Sequence, residues 1–326
     1  MHSITRKLFF YHVVLLAGCA QTGTVDAKSR RSDGPVSLSY IARLYSMRMT
    51  PFGKMMVLEN KYNKLEIETN SRRAWINGIM VWLHHPCRKS GSGWTIAEED
   101  FKKGIDPILR FYAYAPARTP GLVVIDPGHG GKDTGALGKS SIREKDVVLD
   151  ISHRVRKRLE EKGVRVRMTR TSDTFPSLQQ RADYASRAGA DLFISIHADG
   201  AGDERANGVE TFILTAQGCD SSNHYGQSGD KSAQPGNRHD AANAALGFSI
   251  QSNLVKNSKR SDRGLRRARF SVLKNAPCPA ALVECGFLTN PDEESLLNSA
   301  SYRDNVSIGI SNGILGYMTL VKRVRK

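Results

Sequence analysis

The most informative stretch of the sequence reads VVIDPGHGGKDTGALG, residues 123–138. Its first four residues are apolar and predict a buried strand, which leads directly into a glycine-rich turn that carries His129. On its own, a histidine in a turn is more often structural than a metal ligand. The role of His129 therefore depends on which other side chains the fold brings to the same place.

Strand and helix signals alternate along this half of the chain. Apolar or alternating runs predict strands at residues 122–125, 164–170, 191–197, 209–214 and 280–287. Amphipathic spacing predicts helices at residues 144–163, 177–190, 239–258 and about 301–319. The alternation predicts an α/β fold over residues 121–323, in which a mostly parallel sheet carries helices on both faces.

Four titratable side chains fall at the ends of these elements. His129 and His197 follow two of the predicted strands, Glu284 ends a third, and Glu144 opens the first long helix. In open α/β sheets, ligands bind beyond the carboxyl ends of the strands, so these four side chains are expected to meet at one rim. Two histidines and a glutamate are a usual ligand set for catalytic zinc, which keeps one position open for water.

Each of these residues also has a purely structural alternative. His129 could cap its turn, Glu144 could complete a capping box with Ser141, and Glu284 could be a buried, hydrogen-bonded carboxylate. The joint placement of the four favours a zinc site at this rim. Asp126, in the turn before His129, is expected to be a hydrogen-bond partner just outside the ligands.

The pattern of residues 35–115 predicts a separate, small α+β domain. Helical spacing at 37–47 precedes the short strand signals MMVLEN, KLEIET and AWINGIMVWL, and a helix over 94–109 is expected to open with a Thr95–Glu98 capping box. The patterns VSLSYIARL and INGI.VWL resemble the copper amine oxidase N-terminal-like domain. His84, His85 and Cys87 suggest copper, but adjacent residues of a strand point to opposite sides, which favours a structural role.

The N-terminal segment, residues 1–19, has the pattern of an export signal. Two basic residues precede the short apolar run LFFYHVVLL and then LAGC at residues 16–19, which resembles a bacterial lipobox. We therefore expect a signal peptide over residues 1–18, a lipid on Cys19, a tether over 19–34, and a membrane-anchored lipoprotein in the periplasm. The alternative is an ordinary signal peptide with an accidental cysteine.

The composition narrows the choice of partners. The chain has 326 residues and a net charge of +16, which suits an anionic polymer or an anionic membrane surface. No nucleic-acid-binding signature accompanies this charge, so nucleic acid is not expected as a partner. The remaining cysteines form no CxxC pair and their pairing stays open: Cys87, Cys219, Cys278 and Cys285.

Four separated segments together identify a family. IDPGHGGKDTGALG, REKDVVLDISHRVRKRLEEKGVRVRMTRTSD, SLQQRADYASRAGADLFISIHAD and DRGLRRARFSVLKNAPCPAALVECGFLTNPDEE occur in this order and closely resemble the zinc-dependent N-acetylmuramoyl-L-alanine amidases of type 3. The resemblance implies hydrolysis of the amide between muramic acid and L-alanine in peptidoglycan. It also implies that Zn²⁺ is bound by His129, Glu144 and His197, with Glu284 catalytic.

Some features depart from that family or stay open. The family often has Asn where this chain has Asp199, which places an added carboxylate near the metal. The polar loop over residues 217–240 is the least family-like part, and we expect it to leave the sheet at the metal rim as an open, mobile loop. A zinc peptidase acting on the stem peptide and a non-enzymatic wall-binding protein are the alternative functions. The need for an activator is not visible in the sequence.

Overall fold

A computed structural model of the protein describes residues 34–91, 93–223, 226 and 229–325. The predicted signal peptide, the lipidation site Cys19 and nearly all of the tether lie outside the described residues. Within the described ranges, each helix is too short or too polar to span a bilayer.

The N-terminal part contains short strands and short helices. Its strands are β1 (Val36–Ser37), β2 (Arg48–Phe52), β3 (Met55–Glu59), β4 (Lys64–Glu68), β5 (Arg73–Ile76), β6 (Ile79–Trp82), β7 (Arg88–Ser90) and β8 (Gly93–Ile96). Its helices are α1 (Leu38–Leu44), α2 (Glu98–Asp100) and α3 (Asp106–Leu109), with a π-helical turn at Phe101–Ile105 and a 3₁₀ turn at Phe111–Ala113. These elements agree with the predicted α+β pattern.

The predicted capping box at Thr95 is wrong. Thr95 lies inside β8, where it pairs with Arg88 of β7 and with Ser37 of β1. Helix α2 begins after Ala97, whose side chain makes no capping hydrogen bond. Because strand pairing takes up residues 93–96, the capping spacing in the sequence has no helix start to act on.

The second part alternates strands and helices as predicted. Its strands are β9 (Leu122–Pro127), β10 (Arg165–Met168), β11 (Leu192–His197), β12 (Val209–Leu214), β13 (Asp262–Ala268) and β14 (Ala280–Glu284). Its helices are α4 (Glu144–Glu160), α5 (Leu178–Ala188), α6 (Asp240–Ser258), α7 (Ser271–Lys274), α8 (Pro291–Asn298) and α9 (Ala300–Val324), with a 3₁₀ turn at Pro235–His239. Strand β13 was not predicted, because three arginines and a glycine hide its strand pattern.

One sheet of eleven strands runs through both parts, in the order β10-β9-β11-β14-β12-β13-β6-β5-β4-β3-β2. The strands β10, β9, β11 and β14 are parallel, β12 is antiparallel to β14, and β13 is parallel to β12. The sheet of the second part is therefore mostly parallel, as expected. Strand β6 continues it beside β13, with Leu265 opposite Val81, and an antiparallel meander completes it.

Helices cover both faces of the second part's sheet. Val123 and Ile125 of β9 point to the face packed by α4, α6 and α9, whereas Val124 points to the face packed by α5 and α7. This alternation along one strand places apolar side chains on both faces and explains why the strand reads as a continuous apolar run.

The position of the polar loop contradicts the prediction. Strand β12 is antiparallel to β14, with Glu210 opposite Glu284 and Phe212 opposite Leu282. The loop that follows Leu214 consequently leaves the sheet at the edge opposite Glu284. Its Asp220 carbonyl oxygen lies 3.4 Å from His84 Nδ1 of the N-terminal part. We call this region the junction: β6 and residues 83–103 against β13 and residues 215–239.

Candidate metal centre

His129 lies in the tight turn that follows β9. Its backbone is left-handed, with a φ of 57°. The turn is closed by two backbone hydrogen bonds between Gly130 and Asp133, of 2.9 and 3.0 Å. The Asp133 carboxylate lies 2.9 Å from His129 Nδ1, which leaves Nε2 as the nitrogen that faces the neighbouring ligand candidates.

Glu144 is the first residue of α4 and is buried. Its Oε1 lies 3.1 Å from His129 Nε2 and 3.0 Å from His197 Nδ1. Oε1 also accepts a hydrogen bond from the Ala198 N–H, and Oε2 accepts one from the Ala136 N–H. Burial raises the pKa of the Glu144 carboxyl, but the two histidines outweigh burial and hold this pKa well below its usual range.

The capping-box alternative for Glu144 is wrong. Arg143, and not Ser141, is the residue before the helix, and its side chain makes no capping hydrogen bond. Ser141 has a left-handed φ of 63° and lies two residues further back. Glu144 therefore turns its side chain toward the two histidines instead of closing the helix end.

His197 ends β11 beside the strand that carries Glu284. Its ring lies edge-on to the ring of His129, with 4.9 Å between the centroids. The backbone of Gly128 packs directly against the His197 ring, where an added Cβ would lie 2.3 Å from a ring carbon. A side chain at residue 128 would displace the His197 ring.

The three side chains fit a divalent metal. Among the described residues, His129, Glu144 and His197 are the group of potential ligands whose donor atoms lie within 4.8 Å of one another. Tetrahedral zinc with bonds of about 2.0 to 2.1 Å holds its ligand atoms roughly 3.3 Å apart. The distances of 3.0 and 3.1 Å from Glu144 Oε1 to the two nitrogens are close to that value.

Glu284 lies beside this group at the end of β14, in register with His197. It is 7% exposed, and its Oε2 has no hydrogen-bond partner among the residues that the structure describes. Burial first, and then the charges of Asp199 and Glu144, raise the pKa of the Glu284 carboxyl well above its usual value. A buried carboxylate oxygen without a partner is costly, which suggests that a further group belongs beside it.

Ligand candidates and Glu284 share one open cleft of about 420 Å³. Asp199 and Thr289 also line it, and the loop that follows His197 forms one wall. The candidate ligands and Glu284 are therefore accessible from one cleft.

Comparison with known proteins identifies the family. Residues 123–316 match the family described as N-acetylmuramoyl-L-alanine amidase. The chain belongs to this amidase family. It is 38% identical over 220 residues to the N-acetylmuramoyl-L-alanine amidase AmiA of Salmonella typhimurium, covering 60% of this chain and 75% of the relative. It is 35% identical over 230 residues to AmiC of Escherichia coli, covering 63% and 55%.

Solved amidase structures share the fold. The catalytic domain of CwlV from Bacillus (Paenibacillus) polymyxa is 32% identical with a TM-score of 0.52, over 61% of this chain and 98% of that one. AmiC2 of Nostoc punctiforme is 36% identical with a TM-score of 0.51, over 61% and 97%. Both proteins are N-acetylmuramoyl-L-alanine amidases, and the second part of this chain has the same α/β fold.

Two predicted outer residues of the amidase differ in their contacts. Asp126 accepts hydrogen bonds from Thr169, Arg181 and Ser195, at 2.5 to 2.8 Å, and the His129 ring is instead held by Asp133. Asp126 is linked to the turn through Arg181, which also donates to the His129 carbonyl oxygen, and its expected role just outside the ligands stays a prediction. Asp199 does line the cleft, and burial raises the pKa of its carboxyl.

Asp133 was missed in the sequence. The available signal was its spacing, because a carboxylate four residues after a histidine in a tight glycine turn can reach back to the ring. Such a carboxylate holds one imidazole tautomer and orients the ring toward a metal.

The four cysteines that the structure describes and His84 are buried in the amidase. Cys87, Cys219, Cys278 and Cys285 are all buried and free. Cys285 packs in the core on the α4, α6 and α9 side. His84 is buried at the junction, and within the described ranges it belongs to no group of potential metal ligands.

Proposed function

We propose that this amidase hydrolyses the bond between N-acetylmuramic acid and L-alanine with a zinc-activated water, and that Glu284 is the general base and acid. One observation carries this proposal. The donor atoms of His129, Glu144 and His197 converge within 4.8 Å of one another, beside the buried carboxylate oxygen of Glu284 that has no partner. The family membership supports the choice of substrate.

The residues divide the chemistry among them. His129 Nε2, Glu144 Oε1 and His197 Nδ1 would hold the metal, and Asp133 fixes the tautomer of His129. A bound zinc ion supplies Lewis-acid chemistry that makes water a better nucleophile and an amide carbonyl a better electrophile. Glu284, on the cleft side, takes the proton from water and returns it to the leaving amine of L-alanine.

The substitution Glu284→Gln separates binding from chemistry. It keeps the size of the side chain but removes the base, so we expect normal zinc content and a rate on purified peptidoglycan lower by roughly 10²-fold or more. Zinc is measured by elemental analysis and the rate by released stem peptides. Activity within a few-fold of wild type would make Glu284 structural, and loss of zinc would make it a ligand.

The products of digestion distinguish this proposal from a peptidase. Free stem peptides that begin with an L-alanine amine support amidase action. Shortened peptides that stay attached to glycan would instead show cleavage within the stem.

We also propose a division of labour along the chain. Residues 35–115 would be a spacer or wall-docking domain ahead of the catalytic domain over 121–323, and the resemblance to the copper amine oxidase N-terminal-like domain remains a prediction. The continuous sheet supports a fixed orientation of the first domain on the second. An activator is not required by this scheme.

The location of the enzyme depends on Cys19. We propose export to the periplasm, removal of residues 1–18 and a lipid on Cys19, because LAGC resembles a lipobox. The substitution Cys19→Ser should move the protein from the membrane fraction to the soluble periplasmic fraction with its amidase activity intact. An unmodified Cys19 in the mature wild type, measured by mass spectrometry, would contradict lipidation.

A further inference from the structure

Two buried arginines lie beneath the turn that carries His129. Arg170 follows β10 and Arg181 lies in α5, and each is 3% exposed. Their guanidinium groups donate to the main-chain carbonyl oxygens of the turn. We call Arg170 and Arg181 the arginine clamp.

Arg170 connects the segments of two ligands. Its Nη2 donates to the carbonyl oxygen of Gly128 at 2.6 Å and to that of Lys145 at 2.8 Å, and its Nε donates to the carbonyl oxygen of Pro127 at 3.0 Å. Gly128 precedes His129, and Lys145 follows Glu144. A single planar group thus spans the backbone on both sides of the gap between these two ligands.

Arg181 holds the ligand turn in its left-handed conformation. Its Nη2 donates to the His129 carbonyl oxygen at 2.7 Å, and its Nη1 donates both to the Pro127 carbonyl oxygen and to Asp126, each at 2.7 Å. A non-glycine residue with a positive φ is strained and persists only where its surroundings enforce it. The fixed bonds of Arg181 to residues 127 and 129 provide that restraint.

Lys145 completes the support from the other side. It is 4% exposed, and its Nζ donates to the Gly131 carbonyl oxygen at 2.8 Å. The carbonyl groups of Pro127, Gly128, His129 and Gly131 are therefore all bonded to cationic side chains. Buried carbonyl groups need such donors, and the planar fork of arginine fixes several of them in one geometry.

We propose that the arginine clamp positions the metal ligands: it fixes the turn of His129 against the first turn of α4 and sets the separation of His129 from Glu144 before metal binds. This inference rests on the proposed metal site. Zinc binding by the wild type tests that site, whereas the difference between wild type and variants tests the clamp.

The first experiment titrates the metal-free full chain with Zn²⁺ and, separately, with Co²⁺. Arg170→Lys keeps the charge but cannot span three carbonyl groups from one plane. We expect the Kd for Zn²⁺ to rise by roughly 10- to 100-fold, as for other residues that orient metal ligands. The visible absorption of the Co²⁺ form, which reports the ligand geometry, should change as well.

Arg267→Lys is the matched control. Arg267 is also a buried arginine, 2% exposed, and donates to the carbonyl oxygens of Trp82 and Lys103 at the junction. Its replacement should lower the melting temperature but leave the Kd for Zn²⁺ and the Co²⁺ spectrum unchanged. Equal effects of both substitutions on metal binding, or no effect of Arg170→Lys, would overturn the proposal.

A second measurement needs no variant and decides the question even if Arg170→Lys fails to fold. The amides of Gly128 and Gly130 donate to the carbonyl oxygens of Ile196 and Asp133. If the clamp orders the turn, these amides exchange slowly with deuterium in the metal-free wild type. Fast exchange that becomes slow only on addition of Zn²⁺ would show that metal orders the turn, and the clamp would be refuted.

Discussion

Two regions, the metal rim and the junction, both contain histidines and buried carboxylates, but only at the metal rim do their donor atoms converge. We use metal rim for the sheet edge that carries His129, Glu144 and His197. There, the donor atoms of three residues point to one place. At the junction, the Asp100 carboxylate accepts hydrogen bonds from the backbone N–H groups of His84 and His85, so both of its oxygens are bonded to the main chain. Convergence of atoms, and not the presence of ligand-type residues, marks a site.

The buried carboxyl groups of Glu144 and Asp100 also differ in charge state, because different groups face them. Two histidines hold the pKa of Glu144 well below its usual range, despite its burial. Burial raises the pKa of Asp100 to about 6, and two backbone amides and the charge of Arg267 only partly offset it. A buried carboxyl is therefore kept ionised at the rim and pushed toward its neutral form at the junction.

The largest expected effect compares one histidine from each region. His197→Ala removes a proposed zinc ligand, so we expect loss of bound zinc and an activity lower by more than about 10²-fold, beyond the usual cost of an outer residue. His84→Ala should lower the free energy of unfolding by about 2 kcal/mol but leave zinc and specific activity unchanged. Elemental analysis, peptidoglycan assays and denaturation measure these quantities. Zinc loss in His84→Ala would remove the distinction between the regions.

A smaller effect concerns pH. Because the pKa of Asp100 is raised on folding, its stabilising contribution is present below about pH 4 and is lost as the pH rises through about 6. The stability advantage of wild type over Asp100→Asn should fall by roughly 2 kcal/mol between pH 4 and 7, at about 1.4 kcal/mol per pKa unit. Denaturation at several pH values measures it, with the exposed Asp183→Asn as control. A constant difference would contradict the assignment.

The smallest effect concerns the polar loop after Leu214, which leaves the sheet at the edge opposite Glu284. Residues 229–233 are exposed on the junction side, and replacing them with glycine and serine should change stability by less than about 0.5 kcal/mol and activity by less than about twofold. The matched replacement covers the exposed residues 202–205 in the loop after His197, which borders the cleft. That change should lower activity more. A larger loss of activity from the replacement of residues 229–233 than from that of residues 202–205 would indicate that the first loop lies near the cleft.

The parts of the fold that can be predicted from the sequence are those that depend on local hydrophobic periodicity. The three ligand candidates and Glu284 each stand at the end of a clear strand or the start of a clear helix, so parallel topology alone brings them together. The direction of β12 is not a local property, because its apolar run reads the same in either orientation. For this reason the loop after Leu214 was assigned to the wrong edge.

Side-chain partners were harder to predict than positions. Asp126 precedes the turn of His129, but its carboxylate accepts hydrogen bonds from Arg181, Thr169 and Ser195, which come from three distant segments. Strand β13 was missed because Arg267 is buried among main-chain carbonyl groups, where a charged residue is rarely expected. Both outcomes depend on long-range contacts that the sequence pattern does not contain.

In the shared sheet, the N-terminal part covers the edge of β13. Strand β6 pairs with β13, and Trp82 Nε1 donates to the Arg263 carbonyl oxygen at 2.9 Å while the Met80 N–H donates to Asp262 at 2.8 Å. Without residues 35–115, β13 would become an edge strand with open N–H and C=O groups, which recruit strands of other chains and promote aggregation. The short, exposed β2, interrupted by Pro51, ends the sheet instead, and proline at an edge discourages further pairing.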